Sequence, residues 1–89
     1  MSTIYDELSA DQAMELSLVA RLMYASRENR RMVLSAMNVS DEADLLDNIR
    51  TGAIAEHPAY EHYLAARILS DTQQAARQVM AGLVKEVNR

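Results

Sequence analysis

PAYEHYLAARILSDTQQAARQVMAGLVKEVNR, residues Pro58 to Arg89, is the stretch that decides the fold. It reads as one unbroken amphipathic helix. Pro58 suits the first helical position, where its missing N–H has no partner to lose and its φ is already helical. No second proline follows. At 1.5 Å per residue, a helix from Pro58 to Asn88 would run roughly 46 Å. A helix of that length needs an equally long partner, in this chain or in another.

The apolar stripe of this helix runs through Tyr60, Leu64, Ile68, Leu69, Thr72, Ala75, Ala76, Val79, Leu83 and Val87. Ser70, Gln74, Arg77, Gln78 and Lys85 lie on the opposite face. Ile68, Ala75 and Gly82 fall seven apart, as do Leu69, Ala76 and Leu83. Small residues in these rows predict close approach of another helix. Gly82 otherwise costs about 1 kcal/mol relative to Ala, so packing is the reason expected for it.

A long partner is present upstream. From Asp11 to Met37 one edge carries Met14, Leu18, Leu22 and Ala25, and the other Leu16, Val19 and Met23. Ser9 and Asp11 are both candidate N-caps, and Glu15 adds to an acidic first turn. The polar run Ser26-Arg27-Glu28-Asn29-Arg30-Arg31 interrupts the pattern before Met32, Val33, Leu34, Ala36 and Met37 resume it. Neither Gly nor Pro punctuates the run, so one continuous helix is expected, the alternative being a break with Ser26 as a new cap. A short middle helix spans about residues 41–51. Ser40 is its expected N-cap, three acids fill its first turn, and Gly52 follows Arg50 and Thr51 as a C′ residue. Its length predicts the least protected helix of the chain, with the character of a lid.

The fold class expected is therefore all-α, more than about 70% helix without strands, against a usual share near one-third. Residues 1–89 form a single domain, with helices at about 11–37, 41–51 and 58–88. The two long helices make an antiparallel hairpin. Asp6, Glu7, Asp11 and Glu15 at one end would lie beside Arg77, Lys85 and Arg89 at the other. Each long helix carries a broader apolar arc than one partner helix can cover. That predicts a homodimer in which two hairpins form a four-helix bundle.

Composition agrees. The chain has 89 residues, enough for one small core. Fourteen are Ala, against two Gly and one Pro, which is a helix-former's composition. Phe and Trp are absent, so Leu, Met, Val and Ile must fill the core, with six Met available for irregular gaps. No cysteine is present, which excludes disulfides and thiolate sites and suits a reducing, cytoplasmic compartment. No signal peptide is visible at the N-terminus, and no apolar run approaches the ~18 residues that span a bilayer. The net charge of −4 makes the chain acidic.

Chemistry-bearing patterns are few. His57 and Glu61 stand one turn apart on the same helical face, which is ligand spacing for a divalent metal such as Zn²⁺. His62 points about 140° away from His57 by helical geometry, so a site using both histidines would need a symmetric dimer. No nucleophile elbow or Gly-rich phosphate loop occurs, and no cofactor is expected. Residues 30–50 have the spacing of a helix-turn-helix. The would-be recognition helix, however, carries Asp41, Glu42, Asp44 and Asp47 against Arg50 alone, and a phosphate-lined groove would repel it. Arg27, Arg30 and Arg31 form the one basic cluster and are the candidate contacts for an acidic protein partner.

These patterns point to a small non-enzymatic helical protein–protein interaction module, an accessory, regulatory or assembly factor that binds protein or itself. The alternative is a metal-binding or catalytic helical dimer using His57 and Glu61. The layout of a hairpin closed by a proline-started C-terminal helix resembles secretion-system needle subunits. That resemblance of layout, carried by no local motif, implies a structural subunit as a further alternative.

Overall fold

A computed structural model describes residues 9–87, of which 86% are helical, with no strand among them. Helix α1 spans Ala10–Ala36, α2 spans Glu42–Arg50 and α3 spans Glu56–Val87. Both long helices pack along one another, and α2 packs against α3. The body is a rod of 56 × 20 × 18 Å.

Helix α1 starts where its capping chemistry is complete. The Ser9 hydroxyl accepts from the Gln12 N–H at 3.1 Å, and the Gln12 side chain accepts from the Ser9 N–H at 3.1 Å. This reciprocal pair satisfies two of the amides a helix start leaves free. The helix is continuous through Ser26–Arg31. Ser26 does not cap a break: its hydroxyl donates back to the carbonyls of Leu22 and Met23, and the residue is buried. At the far end Asn38 takes φ +58, a left-handed conformation that Asn tolerates better than most residues. Val39 N–H then reaches Leu34 O at 3.2 Å and Asn38 N–H reaches Ser35 O at 3.0 Å. This is a Schellman closure, and it sends the chain into α2.

The cap of α2 is Asp41 rather than Ser40. The Asp41 carboxylate accepts from Asp44 N–H at 2.8 Å, a charged acceptor at the positive end of the helix. Gly52 sits at φ +77 just past Thr51, as a C′ residue should. Regular α3 geometry begins at Pro58, because His57 has φ −107 and ψ 125. Proline's ring disfavours the helical region for the residue before it, which accounts for the extended His57.

The core is thin and built on small residues. Leu34, Leu45, Ala59 and Ala66 form its buried centre, with Val33, Met37, Val39, Ile49, Ile54 and Tyr63 half-buried around it. Leu16 and Ala76 are buried further along the rod. Leu34 and Leu45 are the largest side chains that are fully enclosed. Ala59, Ala66, Ala76 and Ser26 leave little side chain between the backbones, so the seam is narrow and dense. Each of the two leucines is worth about 2–5 kcal/mol against truncation to Ala.

Two sequence expectations are corrected by this seam. Gly82 does not make room for a neighbour: a Cβ built there meets nothing within 4 Å. The row Ile68, Ala75 and Gly82 faces outward, while Ala76 faces the seam. No ion pair joins Asp11 or Glu15 to Arg77 or Lys85 among the described residues. The acidic and basic ends are solvated, as exposed charges are when pairing gains less than about 1 kcal/mol. Asp6, Glu7 and Arg89 lie outside the described residues.

Candidate functional site

The basic cluster expected at Arg27, Arg30 and Arg31 is dispersed by the fold. Arg30 turns toward α2 and grips the Glu42 carboxylate through both Nε and a terminal nitrogen, the second contact at 2.9 Å. Both side chains are about four-fifths shielded. The guanidinium hydrogen bonds hold the Glu42 carboxyl below the usual carboxylate range, against the opposing effect of burial. Arg30 is thereby a structural clamp, not a free docking contact. Arg31 lies 3.3 Å from Glu28, and Arg27 approaches the same carboxylate at 3.7 Å. Arg27 also sits 5.5 Å over the Tyr24 ring, within cation–π range.

His57 and Glu61 do meet, with Nδ1 and Oε1 2.8 Å apart. Both are largely exposed. The contact lowers the Glu61 carboxyl from its ordinary range, mainly through the hydrogen bond from His57. His62 is occupied elsewhere, its Nδ1 donating to Pro58 O at 3.0 Å. Among the described residues no group of three or more His, Asp or Glu side chains gathers to hold a metal ion. Within one chain the pair therefore offers a metal two donors at most, one of whose nitrogens already serves the carboxylate. Tyr60 and Tyr63 stack nearby, ring centroids 6.0 Å apart, with Tyr63 against the core and Tyr60 outside.

Part of the apolar arc that exceeds what one partner helix can cover is exposed on the single chain. Met14, Leu18, Leu22 and Met32 on α1 are 48–68% exposed. Tyr60, Leu64, Ile68 and Val79 on α3 are 43–65% exposed. At 100° per residue the mean direction of these residues lies roughly 140° around α1, and roughly 165° around α3, from the mean direction of the buried residues. Each long helix thus has two apolar faces, and the fold uses one. The residues of the outer stripe were legible as apolar periodicity. The inward choice was not, because both edges of α1 satisfy a helical repeat.

A different polar grouping was missed. Arg77 of α3 lines a groove with Ala20, Met23, Tyr24 and Arg27 of α1 and with Gln73 and Met80 of α3, about 240 Å³ in volume. Both long helices contribute to it, α1 through residues 20–27 and α3 through residues 73–80. No local sequence signal announces it, because it depends on the register between the two helices. None of the described helices is long and apolar enough to cross a membrane.

No curated protein and no solved structure matches this sequence. A family model does match, over residues 3–88, nearly the whole length of the chain. On that match, the chain belongs to the uncharacterized protein MJ0235 family.

Proposed function

We propose that this chain is a non-enzymatic helical interaction module that works as a homodimer, two hairpins forming a four-helix bundle through the outer stripes of α1 and α3. The observation that carries the reading is the alignment of Met14, Leu18, Leu22 and Met32 on one helix, and of Tyr60, Leu64, Ile68 and Val79 on the other, all exposed. Scattered surface hydrophobics are ordinary, but large exposed apolar side chains that recur on one side of both long helices suit an interaction surface. A core with two fully enclosed large side chains leaves a small protein much to gain from doubling its buried apolar area.

Gly82 supports the same reading. It lies on the outward row with Ile68 and Ala75, and no neighbour among the described residues explains it. A helix from a second copy can approach closely at such a point. In this reading the dimer is an accessory, regulatory or assembly factor of the cytoplasm, consistent with the absence of cysteine. The test is a charge placed on each stripe, Leu22→Glu with Ile68→Glu, followed by light scattering after gel filtration. Retained helicity with the mass of a single chain is the expected result. An unchanged mass equal to that of the wild type would remove the stripes from the interface.

A further inference from the structure

We infer that the groove between α1 and α3 at Arg27 and Arg77 is a phosphate-group binding site. Arg27 lines it from α1 and Arg77 from α3, and the polar residues Tyr24 and Gln73 share its lining. Among the described residues no Asp or Glu lines the groove, although Glu28 reaches Arg27 from outside it, in a chain where 13 acidic residues outnumber nine Lys and Arg. Arg30 bonds to Glu42, Arg31 to Glu28 and Arg67 to the Tyr63 hydroxyl, and neither Arg21 nor Arg50 lines the groove. Arg77 makes no ion pair among the described residues. Arg27 shares the Glu28 carboxylate with Arg31, at 3.7 Å, and its guanidinium lies 5.5 Å over the Tyr24 ring.

The donor set selects the ligand. A carboxylate is planar and is satisfied by one guanidinium fork. A tetrahedral oxyanion presents oxygens to both walls at once, which is what two forks on facing helices require. The dianionic charge of a phosphate monoester offsets the two arginines, and Met23 and Met80 leave soft apolar walls on which an organic substituent can rest. A volume of about 240 Å³ accommodates a phosphate with a small attached group, not a large cofactor. None of the eight outer-stripe residues lines this groove, so the site stands or falls separately from self-association.

The test is nuclear magnetic resonance titration of the full chain with sodium phosphate and with phenyl phosphate, against sodium acetate and chloride at equal ionic strength. Both phosphates are expected to move the Arg27 and Arg77 Nε–H and the Gln73 side-chain signals, and acetate is not. Tighter binding of phenyl phosphate marks an organic phosphomonoester as the ligand, and equal binding marks free phosphate. Arg27→Gln or Arg77→Gln should each weaken binding about tenfold, the loss of one charge-assisted fork. Arg50→Gln removes the same charge outside the groove and should leave affinity unchanged. Shifts that are absent, that follow ionic strength alone, or that weaken equally in Arg50→Gln would overturn the assignment.

Discussion

Arg30 of α1 and Glu42 of α2 hold one another by two parallel hydrogen bonds across a reversal of the chain, shielded from most solvent. The contact converts a nine-residue helix, too short to persist alone, into a fixed part of the rod. Leu45 completes the attachment from below, fully enclosed against Leu34 and Ala59. Removing one partner leaves a shielded charge without its counter-ion. Arg30→Leu or Glu42→Gln is expected to cost about 1–3 kcal/mol, measured by urea denaturation. A loss below a few tenths would mean that the pair is an ordinary surface contact.

The same pair sets a pH dependence. Glu42 has a lowered carboxyl pKa in the folded chain. Its contribution to stability is therefore complete above the unfolded-state value and is lost as pH falls through the folded-state value. Stability should decline as pH drops below about 4.3, the ordinary Glu value. The Glu42→Gln variant should lack that portion of the decline. Identical acid profiles for wild type and variant would place the titration elsewhere. Glu61 is too exposed to add to it appreciably.

Leu45→Ala is expected to cost about 2–5 kcal/mol and to free α2 selectively. Amide exchange in Glu42–Arg50 should then accelerate more than exchange in the centre of α3. Uniform acceleration over all three helices would show that α2 unfolds only with the whole chain.

Gly82 yields a test with the opposite sign. No atom of the described residues comes within 4 Å of its missing Cβ, so Gly82→Ala adds helix propensity without a clash among them. At dilutions where single chains prevail, Tm should rise by roughly 4–8 °C for a gain of about 1 kcal/mol. A fall in Tm under those conditions would require an intrachain neighbour at that point.

Much of this architecture was readable in the residues themselves. Pro58, Gly52 and Ser9 mark boundaries because each meets a backbone requirement that few other residues meet, and those requirements are local. Asp41 displaced Ser40 as a cap because its charged carboxylate accepts from the Asp44 N–H, one amide beyond those Ser40 would serve. What local pattern left open is which apolar edge turns inward. Leu18 and Leu22 are larger than Ser26, yet Ser26 is buried and they are not. The seam was chosen by the narrow residues Ala59, Ala66 and Ala76 on α3, which admit a close neighbour, and that choice depends on the register between distant segments. The fate of the arginines follows from the same register. Arg30 meets Glu42, and Arg27 lines the same groove as Arg77, whereas adjacency in sequence had grouped Arg27 with Arg30 and Arg31.

The central claim is that the outer stripes of α1 and α3 meet a second copy of the chain, and sedimentation equilibrium over a micromolar concentration series tests it most directly. The predicted result is a mass that rises with concentration to twice the 10.0 kDa of the single chain, and that stays at the single-chain value in the Leu22→Glu, Ile68→Glu variant. A wild-type mass fixed at 10.0 kDa across the whole series would contradict it.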